Sequence, residues 1–142
     1  MPPCTPAYAL ARIYSLSRGS NLVDEVLRIA AQKRVRTAQV AAIGGVDRLT
    51  LAYFNREKKK YEEHVYDEYL EVLSMLGNIT LKDLKPFLHI HGTFGRRDMS
   101  VVGGHVVSAF VFPLLEVAIT PTKNIALRRF DDDVGVNVIF KT

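Results

Sequence analysis

The apolar positions change period along the chain, and those changes mark the expected elements. Tyr8 to Tyr14 alternates loosely and stops at Ser17-Arg18-Gly19-Ser20, the pattern of a first strand and turn. Leu22, Val23, Val26, Leu27, Ile29 and Ala30 then recur at helical spacing. Ser20 or Asn21 supplies the cap, and Asp24 and Glu25 fall in the first turn, where the helix dipole favours negative charge. Lys33, Arg34 and Arg36 close the other end.

Beyond the helix the period is that of strands. Gln39 to Ile43 is a short apolar run that Gly44-Gly45 is expected to stop. Arg48 to Phe54 and Tyr61 to Tyr66 flank a charged turn, as in a hairpin. Tyr69 to Ile79 reads as a mostly buried strand broken at Gly77-Asn78, with Lys82 to Pro86 a polar connection. Phe87 to Phe94 is the next strand. Val106 to Phe112 and Leu114 to Thr120 read as two runs separated by Pro113, and Ala126 to Phe130 and Val134 to Phe140 close the chain. One helix and many short strands without regular βαβ alternation predict an α+β fold, mainly antiparallel sheet with flanking helices.

No repeat or linker divides the sequence, so the expectation is a leader over 1–7 and one domain over 8–142. With 142 residues, 48% hydrophobic and 24% charged, the chain has the balance of a globular protein with a real core. No apolar stretch is long enough to span a bilayer as a helix, and no secretory signal is visible at the start. The one cysteine, Cys4, cannot form an internal disulfide, which fits a reducing cytoplasm. It reads as an incidental surface thiol. The net charge of +4 is spread over short basic runs, so composition permits nucleic-acid contact without demanding it.

The concentrated chemistry is histidine. Of four, three lie between positions 89 and 105. His89-Ile90-His91 sits in a strand pattern, which points both imidazoles to one face, about 7 Å apart at Cα. His105 follows Gly103-Gly104, glycines expected to let the chain turn sharply and return His105 opposite the pair. Three histidines with an open fourth position match zinc, nickel or iron sites, and zinc is the first expectation. The competing reading is a set of core or interface histidines bonded to backbone. Glu71 is a candidate ligand, second-layer acceptor for an imidazole N–H, or base, and His64 reads as a surface residue. Arg96, Arg97, Arg128 and Arg129 are the candidate nucleic-acid contacts, with a salt-bridged surface as the plainer account.

The ordered segments Glu71-Val-Leu-Ser-Met-Leu-Gly-Asn-Ile, Phe87-Leu-His-Ile-His, Gly103-Gly-His-Val, Leu115-Glu-Val-Ala-Ile and Arg128-Arg-Phe-Asp resemble the plants-and-prokaryotes-conserved (PPC) domain. Ile43-Gly-Gly-Val, following a helix opened by Gly19-Ser-Asn-Leu, resembles the start of the same family. The resemblance implies an antiparallel α+β fold assembled as a homotrimer. It also implies His89, His91 and His105 as ligands near a subunit interface. Family members are often described as DNA-binding. In the plant proteins an Arg-Gly-Arg-Pro hook grips the minor groove, and this chain lacks it.

Three functions follow as expectations. The first is a cytoplasmic, homotrimeric, metal-binding assembly domain, regulatory rather than catalytic. The second is a non-sequence-specific DNA-binding protein whose patches combine in the trimer. The third is a small metal-dependent hydrolase or lyase with Glu71 as base.

Overall fold

The computed structural model describes residues 11–142. The expected leader, Cys4 and the first residues of the Tyr8 strand lie outside the described residues. The elements are β1 (Arg12–Ser17), α1 (Leu22–Gln32), β2 (Ala38–Asn55), β3 (Lys60–Tyr66), β4 (Leu70–Lys82), β5 (Lys85–Gly95), β6 (Val101–Pro121), β7 (Leu127–Asp131) and β8 (Val136–Lys141). One short helix stands among the described residues where flanking helices were expected. The sheet is mostly antiparallel, in the order β3-β2-β6-β5-β4-β7-β8, with β1 on β6. β2 also pairs with β4, so β2, β6, β5 and β4 close into a ring. The β4–β7 pairing is parallel.

α1 forms where its caps and periodicity place it. Asn21 Oδ1 accepts from the Val23 N–H, and Leu22, Val26, Ile29 and Ala30 are buried. The helix stops at Gln32, just before its basic flank, with Lys33 as the C-cap. Arg34 takes a left-handed φ of 56°, with Val35 N–H on Ala30 O and Arg34 N–H on Ala31 O, a Schellman-type end. The basic residues therefore lie beyond the last turn. The helix packs on a core of Val46, Leu49, Leu70, Met75, Ile79, Ile90, Phe94 and Leu115, all essentially inaccessible.

Three expected strand breaks are absent. β2 runs through Gly44-Gly45, and a Cβ at Gly45 would meet the Phe112 carbonyl and the Tyr69 ring. These glycines permit a bulged crossing of β6 rather than ending the strand. β4 runs through Gly77-Asn78, and β6 runs through a cis Phe112–Pro113 bond as one strand. Lys82 to Lys85 is a tight turn in which Asp83 and Leu84 both have positive φ.

Gly77 ties the sheet to the histidine strand. It faces Ile90 across β4–β5, and a Cβ there would meet the His89 carbonyl and the Ile90 backbone. Backbone cannot give way as a flexible side chain does. We predict that Gly77→Ala costs about 1–3 kcal/mol of stability through overpacking, read as a lower melting temperature by calorimetry. An unchanged melting temperature would contradict the close approach.

Candidate metal centre

Adjacent strands build the cluster. His91 on β5 lies directly opposite His105 on β6, flanked in register by Gly92 opposite Gly104 and Thr93 opposite Gly103. His89 is two residues earlier on β5, so strand alternation puts it on the same face. The Gly103-Gly104 pair does not make the turn. The chain reverses at Arg96 to Ser100, where Met99 has a φ of 69° and Arg96 N–H donates to Ser100 O. The glycines instead let backbones close in: a Cβ at Gly103 would stand 2.9 Å from Gly92 O, and one at Gly104 3.1 Å from Ala52 O.

One potential ligand atom from each of His89, His91 and His105 falls within a 4.8 Å group. The ring centroids are 4.9, 5.3 and 5.4 Å apart. The Nε2 atoms of His89 and His91 are 3.1 Å apart, close to the spacing of two ligands on one tetrahedral ion with Zn–N of about 2.0 Å. His91 is exposed, and the other two are partly buried. Tyr61 from β3 stacks on His105 at 4.7 Å. His105 Nδ1 is buried with no hydrogen-bond partner among the described residues. Such an orphan costs about 1–3 kcal/mol, a cost that bonding to a metal ion would remove. The donor set and this orphan both fit a divalent ion.

A cation also borders the cluster. Arg128 on β7 is buried and donates from Nε to Thr80 Oγ1 at 2.9 Å, from Nη1 to Asn137 O at 2.9 Å and from Nη2 to Asn78 Oδ1 at 3.0 Å. Its Nη2 stands 3.4 Å from His89 Nδ1. An arginine only donates, so in the metal-free chain it favours the His89 tautomer with the proton on Nε2, toward His91. His89 is pushed down from its ordinary 6.5 to about 4, first by burial, then by the charges of Arg128, His105 and His91. His105 is pushed down by burial and then by His91.

The other expected site residues fall elsewhere. Glu71 pairs with Gly95, four positions along β5 from His91, about 13 Å by strand rise. Its carboxylate accepts from Tyr69 Oη at 2.7 Å. The structure therefore does not bring Glu71 to the imidazoles. Arg128, expected as a surface contact for nucleic acid, is buried against the cluster instead, because β7 pairs with β4. Arg96 is engaged by Glu68 at 2.8 Å, and Arg129 is exposed with its guanidinium over Phe140. Arg97 is exposed. His64, expected at the surface, is exposed on β3. Sequence reasoning missed Arg128, Asn78 and Tyr61 as neighbours of the histidines.

The family profile described as the Plants and Prokaryotes Conserved (PCC) domain matches residues 11–123. Among solved structures, a metal-containing protein of Archaeoglobus fulgidus is 34% identical, with a TM-score of 0.89 over 94% of this chain and 95% of that one. A plant- and prokaryote-conserved (PPC) protein of Pyrococcus horikoshii is 25% identical, with a TM-score of 0.89 over 96% and 94%. A candidate DNA-binding protein of Bacteroides thetaiotaomicron is 27% identical, with a TM-score of 0.87 over 91% and 90%. A search of curated proteins returns no match.

The lowered His89 and His105 values set a pH dependence. Between about pH 4 and 6.5 the unfolded chain binds more protons at His89 than the folded one. Stability is therefore complete above the unfolded value and is lost as pH falls through the folded one. We predict that the chelator-treated protein melts at a lower temperature at about pH 4.5 than at about pH 7.5. His89→Gln should flatten much of that difference. Equal slopes in both proteins would contradict the assignment.

Proposed function

The chain belongs to the Plants and Prokaryotes Conserved (PCC) domain family, and from that premise we propose that it is a metal-binding assembly domain whose ion is held by His89, His91 and His105. The observation that carries this reading is the convergence of three imidazoles, with an orphaned buried nitrogen on His105. The Archaeoglobus relative, described as metal-containing, supports it. Zinc is the first choice of ion, since three neutral nitrogens with an open position suit it. When bound, such an ion supplies Lewis acidity at that open position.

A regulatory or assembly role takes precedence over catalysis here, because the expected base, Glu71, lies along the strand from the cluster. The assembly we propose is a homotrimer in the cytoplasm. Exposed apolar side chains on the strands, Leu76 and Ile43 among them, offer surface for subunit contacts. No helix of the described residues is long and apolar enough to cross a membrane.

A second reading is DNA association, favoured by the description of the Bacteroides relative. It rests on Arg97 and Arg129, since Arg128 is buried and Arg96 is engaged by Glu68. Such binding would weaken steeply with salt. Binding that is absent, or indifferent to salt, would remove it.

Elemental analysis of untagged protein tests the main reading. We predict near-stoichiometric divalent metal in the wild type and loss of most of it in His91→Ala and in His105→Ala, with folding retained by circular dichroism. Metal that persists in both variants would refute the ligand assignment. Light scattering on the same samples reads the oligomer, for which a trimer is expected and a monomer would contradict the assembly.

A further inference from the structure

The charges around the cluster do not balance. Among the described residues no aspartate or glutamate joins the three histidines, and the groups whose charge acts on His89 are Arg128, His105 and His91, none of them acidic. Arg128 is buried, yet its hydrogen-bond partners are a hydroxyl, an amide oxygen, a backbone carbonyl and the His89 ring, with the Phe87 ring 5.6 Å from its guanidinium carbon. Buried charges are ordinarily paired with an opposite charge. Those neutral acceptors need donors, not a full positive charge. Of the five N–H groups of an arginine, these four contacts leave one, on Nη1, without a hydrogen-bond partner among the described residues.

A divalent ion at the imidazoles sharpens the imbalance. It adds two positive charges beside one that is already unpaired. Were His89 to hold the ion through Nε2, the atom 3.1 Å from His91 Nε2, its ring proton would stand on Nδ1, against the Nη2 donor of Arg128. Arg128 therefore opposes the metal by charge and by hydrogen bonding. A buried arginine placed to oppose a bound cation is reconciled by an anion that both can share.

Building on the metal reading above, we propose that Arg128 makes this centre a receptor for a small carboxylate, which occupies the open position of the ion and neutralises the guanidinium. A carboxylate matches the two cationic partners, with two oxygens and one negative charge. The metal and the anion then bind cooperatively, because each relieves the repulsion that the other would meet alone. Arg128 is the specificity-determining residue, and Asn78 and Thr80 hold its side chain in place.

The test is cobalt binding in chloride-free buffer, followed by visible absorption and by competition with a chelator, with acetate as the probe. In the wild type, acetate should change the cobalt spectrum saturably and tighten cobalt binding. Arg128→Gln should bind cobalt about tenfold more tightly without acetate, as the opposing charge is gone, and should lose most of the acetate effect. Arg128→Lys keeps the charge, and should keep the weaker cobalt binding. An arginine that merely braces β7 would leave cobalt affinity unchanged or reduced in Arg128→Gln, which would overturn the proposal. Cobalt binding in the wild type with no response to acetate overturns it without any variant. A stronger response to inorganic phosphate than to acetate overturns the carboxylate class. Failure of the wild type to bind cobalt refutes the metal reading itself, and this one with it.

Discussion

The register between β5 and β6 is the constraint on which the site depends. His91 stands opposite His105 because the hairpin turns at Arg96 to Ser100 and the strands then pair without a shift through Gly103 and Gly104. Strand side chains alternate, so a slip of one residue would turn His105 to the other face of the sheet, toward the core. Glycines at 103 and 104 let the neighbouring strands approach where side chains would hold them apart, and Gly92 leaves room for the Phe94 and Met75 side chains. On its other side β6 pairs with β2, setting Ala52 opposite His105. β3 in turn pairs with β2 and brings Tyr61 over the imidazole. The barrel-like ring of β2, β6, β5 and β4 thus fixes the cluster from both edges.

Burial and charge then determine what the cluster can hold. The folded state keeps His89 largely neutral at physiological pH, as a nitrogen ligand must be. The same environment places a guanidinium beside it, so the cost of adding a cation is built into the second layer. In many metal sites a carboxylate or carbonyl accepts the outer imidazole N–H. Here a donor, Arg128 Nη2, stands in that place beside His89 Nδ1.

Much of this was legible in the sequence, where the signal was local. The helix followed from its cap, its acidic first turn and its 3.6-residue period. His89 and His91 on one face followed from period two, and the spacing to His105 suggested a returning strand. The glycine pairs were misjudged, because Gly-Gly marks a turn and a close approach alike, and only the neighbouring strand distinguishes them. Gly44-Gly45 and Gly103-Gly104 both proved to be close approaches. Pro113 marks a break by sequence pattern, but β6 passes through it. Arg128 was out of reach, since it meets His89 across 39 positions through a parallel β4–β7 pairing. Nothing in Leu127-Arg-Arg-Phe tells which arginine turns inward.

The most direct test of the account is anomalous diffraction from crystals grown with zinc, with data collected on both sides of the zinc absorption edge. The account predicts one strong anomalous peak per chain, bonded to nitrogens of His89, His91 and His105. A peak bonded to other residues, or none at these histidines with zinc in excess, would contradict it.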